Sequence, residues 1–429
     1  MKNIIIHAPG ELDGTVMVNG AKNAALPIIT ASLLTDEPVI LNNIPDIGDV
    51  RTIVEMLQKL GKEIERIDDG AGGSGRYVIR SRGPLNPEVP PQLVKRMRAS
   101  FFVLGPLLAR LGQARVALPG GCNIGSRPVD LHLKGLRNLG ATVELSEGFV
   151  HAVAPELSGA EIYLDKPSVG ATENIIMTAV ITPGWTVISN PASEPEISDL
   201  ARFLNAMGAR IQIRPSQIGI EGVERLHGAE HTIIPDRIEA GTYMIATAIA
   251  GGEVYVSGCR PNHLSSVLSK LREVGVEIID EAGGIWVRQT SRQRLQATDI
   301  ATLSYPGFPT DLQAPMVTLL SVCDGKSVVK ETVFDRRFSH ADELNRMGAN
   351  IQVFGSTAII NGVEKLQGAI VEAPDIRAGA ALALAGLAAS GTTRVKDNGH
   401  IDRGYHAFID NLRHLGADIE EKQEQEQEL

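Results

Sequence analysis

The fold is indicated by an eight-residue pattern that occurs six times: LQKLGKEI (57–64), LRNLGATV (136–143), LNAMGARI (204–211), LREVGVEI (271–278), LNRMGANI (344–351) and LRHLGADI (412–419). Its apolar residues recur three positions apart, which places them on one side of a helix. The glycine that follows suits the left-handed conformation that ends many helices. A β-branched residue beyond the glycine then favours a strand. The six copies therefore predict a repeated helix–strand unit.

The residues before each copy predict the same order of elements each time: a helix rich in small residues, a turn, a short strand and a loop. Each unit is therefore predicted to be a βαβαββ module. A single module cannot bury its helices alone, so we expect an α/β fold of two similar domains with three modules each. A cleft between two such domains is a common place for a ligand.

Few residues precede Lys22, so the first module lacks a leading strand of its own. We therefore predict an N-terminal domain of residues 22–231. Residues 1–21 are expected to pack with residues 232–429 as the C-terminal domain. The end of the chain, from about residue 420 to 429, is polar and acidic and is predicted to be a disordered tail.

Composition narrows the class of protein. The 429 residues carry a net charge of −10, which argues against nucleic-acid binding, because that needs a basic surface. Three cysteines (Cys122, Cys259 and Cys323) do not make a disulfide framework and suit a reducing compartment. The longest apolar stretch, near residues 378–389, is too short to cross a membrane. We expect a soluble cytoplasmic protein that does not bind membranes.

Polar or charged residues begin the first predicted helix of each module, where free N–H groups and the helix dipole attract anions. They are Lys22-Asn23, Arg98-Ala99-Ser100, Ser168-Val169-Gly170, Asp236-Arg237, Thr310-Asp311 and Asp375-Ile376-Arg377. Capping of the helix is the alternative, about equally favoured for Asp236 and Asp375. Lysine and arginine are not capping residues, so Lys22 and Arg98 favour anion binding.

The loop LPGGCNIGSRPVDLH (118–132) places Cys122 among glycines and near Arg127. A neighbouring cation favours a thiolate, which suits proton transfer or nucleophilic attack. The alternative is a small apolar residue in a loop. Asp311, at a helix start, is a candidate base towards a hydroxyl or a second capping oxygen.

Arg336 and Arg337 lie in the second loop of the fifth module, and Arg403 lies in the second loop of the sixth. Arginine binds carboxylates and phosphates through paired hydrogen bonds. Surface ion pairs with Asp335 and Asp402 are the alternative.

Two other kinds of site are not supported by the sequence. Gly70, Gly72 and Gly75 match a dinucleotide-binding pattern, but the residues that follow, RYVIRS, predict a strand where that pattern requires a helix. The histidines lack the spacing of metal ligands. We expect no metal and no organic cofactor.

Four segments together resemble the UDP-N-acetylglucosamine 1-carboxyvinyltransferases of the enolpyruvyl transferase family: NGAKNAALP (19–27), GGCNIGSRPVDLH (120–132), FPTDLQA (308–314) and HIDRGY (400–405). The resemblance implies two three-module domains forming the family's inside-out barrel fold, with the active site in the cleft between them. It also implies transfer of the enolpyruvyl group of phosphoenolpyruvate to the 3′-hydroxyl of UDP-N-acetylglucosamine. Phosphate is released in this first committed step of peptidoglycan synthesis.

The resemblance also implies roles for individual residues. Cys122 would help to protonate the methylene carbon of phosphoenolpyruvate and would be alkylated by fosfomycin, while Asp311 would take the proton of the sugar hydroxyl. Lys22, Arg127, Arg403 and Arg337, rather than Arg336, match the cationic residues around phosphoenolpyruvate, and Asn23 would contact both substrates. The other expected substrate contacts are Arg98, Arg127, Pro128, Val129, Asp130, Leu131, Lys166, Ser168, Val169, Gly170, Asp311, Val333 and Asp375.

The sequence departs from the family at Phe102, where a tryptophan is common, and at Asn123 and Ser126 in the cysteine loop. Two alternatives remain at this point. One is transfer of the enolpyruvyl group to another alcohol such as shikimate 3-phosphate. The other is that the protein is a non-catalytic regulatory paralogue that binds UDP-N-acetylglucosamine.

Overall fold

A computed structural model describes residues 2–7, 10–67, 74–119, 129–291 and 293–423. Within these ranges there are 25 strands: β1 (Lys2–Ile6), β2 (Leu12–Met17), β3 (Val39–Pro45), β4 (Lys62–Ile67), β5 (Ser74–Ser81), β6 (Gln113–Ala117), β7 (Thr142–Ser146), β8 (Phe149–Val153), β9 (Glu161–Tyr163), β10 (Trp185–Ser189), β11 (Arg210–Arg214), β12 (Gln217–Glu221), β13 (Glu230–Thr232), β14 (Gly252–Ser257), β15 (Glu277–Glu281), β16 (Gly284–Gln289), β17 (Ile300–Ala301), β18 (Lys326–Lys330), β19 (Asn350–Phe354), β20 (Thr357–Asn361), β21 (Leu366–Gln367), β22 (Ile370–Glu372), β23 (Ala389–Ser390), β24 (Thr393–Asp397) and β25 (Ile419–Gln423).

The same ranges contain 13 α-helices: α1 (Lys22–Ala31), α2 (Gly48–Lys59), α3 (Pro91–Arg96), α4 (Leu104–Leu111), α5 (Asp130–Asn138), α6 (Val169–Ala179), α7 (Pro195–Ala206), α8 (Arg237–Ala250), α9 (Ser265–Val274), α10 (Gln313–Leu320), α11 (Ser339–Arg346), α12 (Ile376–Leu387) and α13 (Phe408–His414). Short 3₁₀ helices span Ser32–Leu34, Arg98–Val103, Pro261–His263, Thr310–Leu312 and Ile401–Arg403. None of the helices in the described ranges combines the length and the apolar composition that a membrane crossing requires.

The described residues form two compact units. The N-terminal unit comprises residues 20–67, 74–119 and 129–234, and the C-terminal unit comprises residues 2–7, 10–19, 235–291 and 293–423. The boundaries thus fall at 19/20 and 234/235, where the sequence analysis placed them at 21/22 and 231/232.

One sheet topology recurs in both units. The N-terminal unit has the sheets β13-β3-β5-β4, β6-β8-β7 and β11-β12-β10-β9, and the C-terminal unit has β15-β16-β14-β2, β17-β18-β20-β19 and β22-β24-β1-β25. In five of these six sheets one parallel pair adjoins two antiparallel pairs. In the sheet of β6, β8 and β7 a parallel bridge between Glu88 and Arg115 takes the place of the parallel edge strand. Among the described residues, the six sheets therefore repeat the strand arrangement predicted for a βαβαββ module, with a bridge instead of the edge strand in one of them.

The two ends of the chain complete sheets of the C-terminal unit. Strand β1 pairs with both β24 and β25, and β2 pairs with β14. Because β25 extends to Gln423, the predicted tail is wrong for residues 420–423, which are ordered by pairing with β1 and by the Lys2–Glu421 ion pair of 3.0 Å. Residues 424–429 lie outside the described ranges.

The glycine of each repeated pattern ends a helix as predicted. All six have positive φ, between 86° at Gly348 and 111° at Gly61. Around Gly140, for example, Ala141 N donates to Leu136 O and Gly140 N donates to Arg137 O, each at a distance of 3.0 Å. These two bonds make a Schellman motif, which satisfies the last carbonyl groups of the helix.

Each unit buries helices almost completely in its own core. Residues 171–179 of α6 in the N-terminal unit and residues 377–387 of α12 in the C-terminal unit are all buried. A helix that is apolar on every side is suited to the interior. The sequence analysis placed many of its candidate site residues at the first turns of these buried helices.

Candidate functional site

The candidates of the N-terminal unit lie at helix starts. Lys22 and Asn23 begin α1, Arg98 begins a 3₁₀ helix before α4, and Ser168 to Gly170 form the start of α6. Val129 is the N-cap of α5, Asp130 is its first residue, and Leu131 is buried in its first turn. Lys166 is exposed, shortly before α6. Cys122, Arg127 and Pro128 lie outside the described residues.

Lys22 is held by a carboxylate that the sequence analysis missed. Its Nζ lies 3.2 Å from Oδ2 of Asp49, with side chains only 12% and 4% exposed, respectively. Asp49 stands in the first turn of α2, far from Lys22 in sequence, so no local pattern links the two. The pair fixes the ammonium group at the start of α1.

Arg98, His132 and Gly170 form a second group in this unit. His132 is buried, and its Nδ1 lies 3.2 Å from Asn174 Nδ2. Burial, with a smaller contribution from Arg98, lowers the pKa of His132 to about 3, which keeps its ring neutral. A Cβ atom at Gly170 would lie 3.1 Å from Cε1 of His132 and 3.4 Å from the ring of Phe102. Glycine therefore lets the start of α6 approach both rings closely.

In the C-terminal unit, Asp311 lies between two arginines. Its Oδ1 accepts a hydrogen bond of 2.7 Å from Nη2 of Arg337, and its Oδ2 accepts one of 3.1 Å from Nη2 of Arg377. Asp311 is 24% exposed, whereas the arginine side chains are 6% and 4% exposed. The N-cap positions at this place are Pro309 and Leu312, so Asp311 is not the capping residue of either helix.

Arg337 and its neighbour Arg336 are in different environments. Arg336 is exposed, while Arg337 is buried and also donates from Nη1 to Thr310 Oγ1 over 2.8 Å. The guanidinium carbon of Arg337 lies 5.1 Å from the centre of the Phe334 ring, within range of a cation–π interaction.

Arg377 was noted in the sequence as part of a helix start but was not proposed as a site residue. Its guanidinium carbon lies 5.0 Å from the centre of the Tyr405 ring. Burial alone would lower the pKa of Arg377, but the neighbouring Tyr405, Asp311 and Asp236 raise it above the usual arginine range. It is therefore a fixed cation. Its contact with Asp311 joins segments far apart in sequence, which local patterns do not reveal.

Asp236 and Asp375 cap helices, which is the alternative that the sequence left open. Asp375 accepts from the N–H groups of Arg377 and Ala378 over 2.9 and 3.0 Å, and Asp236 accepts from Ile238 and Glu239 over 2.8 and 3.0 Å. These contacts account for the acidic residues at the starts of α12 and α8. A part for Asp375 in substrate binding stays a prediction.

The remaining candidates of the C-terminal unit are Val333 and Arg403. The Val333 side chain is exposed, and its N–H donates to Glu331 Oε1 over 2.8 Å. Arg403 ends the 3₁₀ helix Ile401–Arg403 and is half-buried. Among the described residues, no three His, Cys, Asp or Glu side chains are grouped so that they could hold a metal ion.

Comparison with known proteins defines the class. Residues 6–423 match the family model described as EPSP synthase (3-phosphoshikimate 1-carboxyvinyltransferase). The chain therefore belongs to the EPSP synthase family of enolpyruvyl transferases. The enolpyruvyl transferase NikO from Streptomyces tendae superposes with a TM-score of 0.87 at 26% identity, covering 98% of both chains. EPSP synthase from Acinetobacter baumannii shares the fold, with a TM-score of 0.75 at 18% identity over 99% of this chain and 100% of that one.

Several similar sequences carry the name of a particular transferase within this family. The chain is 52% identical over 411 residues to the UDP-N-acetylglucosamine 1-carboxyvinyltransferase of Finegoldia magna, covering 95% of this chain and 96% of the relative. It is 51% identical to UDP-N-acetylglucosamine 1-carboxyvinyltransferase 1 of Caldanaerobacter subterraneus subsp. tengcongensis, covering 97% and 99%. The predicted family and fold are confirmed.

Proposed function

We propose that this protein transfers the enolpyruvyl group of phosphoenolpyruvate to the 3′-hydroxyl of UDP-N-acetylglucosamine and releases phosphate, as the first step of peptidoglycan synthesis. The observation that carries the proposal is the set of four nearly full-length relatives at 50–52% identity, all named for this reaction. The family model alone leaves the acceptor alcohol open, because its description names a shikimate enzyme. The names of the four relatives favour the nucleotide sugar as the acceptor.

The chemistry requires a base for the alcohol, a proton for the methylene carbon and cations for the phosphate. In the proposed reaction, Asp311 takes the hydroxyl proton while the oxygen adds to C2 of phosphoenolpyruvate, and Cys122 supplies a proton to C3. C3 then returns a proton to the Cys122 thiolate, and phosphate leaves C2 and takes the proton held by Asp311, which restores the double bond. Overall, the hydroxyl hydrogen replaces the enolpyruvyl group on phosphate, so the atoms balance.

The arrangement around Asp311 supports its role. A base must be oriented towards the proton it removes, and two buried arginines hold this carboxylate. The same arginines, with Lys22, Arg127 and Arg403, are suited to anionic groups of the substrates. Fixed cations stabilise a leaving phosphate, and removal of one such preorganised donor costs about 3 kcal/mol of transition-state stabilisation.

The remaining assignments follow the sequence resemblance. Asn23 is proposed to contact both substrates. The contacts proposed for the nucleotide sugar are Arg98, Arg127 to Leu131, Lys166, Ser168 to Gly170, Asp311 and Val333. We also propose a cytoplasmic location, which the small number of cysteines supports.

The test is phosphate release by the purified protein with phosphoenolpyruvate and one of three additions: UDP-N-acetylglucosamine, shikimate 3-phosphate or no acceptor. Release only with the nucleotide sugar, together with a product heavier by one enolpyruvyl group in mass spectrometry, is the expected result. Release with shikimate 3-phosphate instead would overturn the choice of acceptor. Calorimetric binding of the nucleotide sugar without any release would identify a non-catalytic binding protein.

A further inference from the structure

Glu331 is a buried carboxyl group that the proposed reaction does not yet use. It follows β18 directly and is 2% exposed. Its Oε1 accepts from Thr302 Oγ1 over 2.7 Å, from Val333 N over 2.8 Å and from Phe334 N over 3.2 Å. Its Oε2 accepts from Thr310 Oγ1 over 2.9 Å. One side chain thus connects the strand end, the 332–334 loop and the helix start that carries Asp311.

The bond between Glu331 and Thr310 determines which way the threonine hydroxyl points. A hydroxyl has a single proton to donate, and an acceptor-only carboxylate receives it. The lone pairs of Thr310 Oγ1 are then available to Arg337, whose Nη1 lies 2.8 Å away. The other amino group of Arg337 contacts Asp311. A chain of hydrogen bonds therefore runs from Glu331 through Thr310 and Arg337 to Asp311.

A second route leads from Glu331 to the same arginine. Glu331 holds the backbone N–H groups of Val333 and Phe334, and the Phe334 ring lies 5.1 Å from the guanidinium carbon of Arg337. Thr310 and Phe334, which both contact Arg337, are thus both hydrogen-bonded to Glu331. Val333 is itself a proposed contact of the nucleotide sugar.

We propose that Glu331 is a positioning residue for the enolpyruvyl transfer, which orients Arg337 and, through it, the base Asp311. This inference rests on the proposed function. Glu331 need not touch either substrate, because it acts through the direction of the Thr310 hydroxyl and the placement of the 333–334 backbone. Displacement of a catalytic group by about 1 Å can cost about 100-fold in rate.

The substitution Glu331→Gln tests the hydrogen-bond direction without changing the size of the side chain. Three donors face Oε1, so the amide oxygen takes that side and the NH₂ group faces Thr310. Thr310 must then accept from the amide as well as from Arg337, and its own proton loses the carboxylate oxygen that receives it in the wild type. The hydroxyl is no longer oriented by a carboxylate, so its contact with Arg337 is weakened while the core remains filled.

The experiment compares wild type, Glu331→Gln, Thr310→Val and the double variant in steady-state assays of phosphate release, with each substrate varied. Each single variant is expected to lower kcat/KM for phosphoenolpyruvate by about 10- to 100-fold. The double variant should be little worse than Thr310→Val alone, because both changes break the same chain. Thr310→Ser, which keeps the hydroxyl, should retain more activity than Thr310→Val. The matched control is Glu364→Gln, at an exposed position, with wild-type kinetics expected.

Two outcomes would overturn the inference: wild-type kinetics of Glu331→Gln, or effects of the two single variants that multiply in the double variant. A crystal structure of Glu331→Gln gives a readout independent of turnover, in which the distance between Arg337 Nη1 and Thr310 Oγ1 should be longer than the 2.8 Å of the wild type. An unchanged distance would also refute the inference. Absence of phosphate release from the wild type would instead refute the proposed function, and the crystal structure would still decide whether Glu331 orients Arg337.

Discussion

Arg377 donates from Nη2 to Oδ2 of Asp311 over 3.1 Å, on the carboxylate oxygen opposite the one that Arg337 occupies at 2.7 Å. Both arginines are buried, so the carboxylate is oriented by groups that have little freedom to move. Each carboxylate oxygen has two lone pairs, so a base in this arrangement can take a proton while it keeps both hydrogen bonds. The structure therefore predicts that removing the acceptor capacity of Asp311 stops the reaction at the chemical step.

Asp311→Asn is expected to lower kcat by about 100- to 10,000-fold, the usual contribution of a general base. The amide keeps the size of the side chain, but its NH₂ group cannot accept from an arginine or remove a proton. Calorimetry should still detect binding of UDP-N-acetylglucosamine. Turnover within a few fold of wild type would show that another residue is the base.

Arg337 and Arg336 form a matched pair of adjacent arginines. Arg337→Ala should lower kcat/KM for phosphoenolpyruvate by about 100-fold, comparable to loss of a preorganised donor to a developing anion. Arg336→Ala should leave it nearly unchanged, because Arg336 is exposed and exposed ion pairs contribute little. A larger loss of kcat/KM in Arg336→Ala than in Arg337→Ala would contradict the choice of Arg337 as the site residue.

The cysteines differ in their expected reactivity. Burial raises the pKa of the Cys259 thiol to about 11 and that of Cys323 to about 12, so neither forms appreciable thiolate near neutral pH. Incubation with fosfomycin should therefore label Cys122 alone, as read by mass spectrometry of peptides. Cys122→Ser should abolish labelling, and Cys259→Ser should not change it. Label on Cys259 in the Cys122→Ser protein would remove Cys122 from its proposed role.

The helix ends of the fold could be predicted because their signals are local. The glycine of each repeated pattern adopts positive φ, since only glycine takes that conformation without steric cost. Asp236 and Asp375 were ambiguous for the same local reason, because a carboxylate at a helix start suits capping as well as binding.

The partners of the site residues could not be predicted. Asp49 lies 27 positions from Lys22, and Arg377 lies 66 positions from Asp311. Such contacts are created by the packing of helices that are separate in the sequence, and one sequence carries no periodicity that encodes them. Glu331 was missed for the same reason, as its four donors come from three separate segments. The cysteine loop, from Gly120 to Pro128, lies outside the described residues, so its roles rest on resemblance.

Lys62 differs from the residues at the same position in the other five copies of the pattern. Its burial predicts that the stability of the folded protein depends on pH. It follows Gly61, whereas the other five copies have alanine or valine after the glycine: Ala141, Ala209, Val276, Ala349 and Ala417. Lys62 is 2% exposed, and its Nζ donates to Thr35 O over 2.6 Å and to Ser81 Oγ over 3.1 Å. Burial lowers its pKa from 10.5 to about 8, against the opposing effect of Asp36.

The sign follows from this lowered pKa. Above pH 10.5 the amine is neutral in both the folded and unfolded states. As the pH falls towards 8, the unfolded state binds the proton first and is therefore favoured. The free energy of unfolding falls by about 3 kcal/mol across this range, because each pKa unit corresponds to 1.36 kcal/mol. Lys62→Met removes this titration, so wild type should gain stability relative to Lys62→Met as the pH rises from 8 to 10.5. Urea unfolding of both proteins across this window measures the difference. A difference that does not change with pH would show that Lys62 is not titrating in the folded protein.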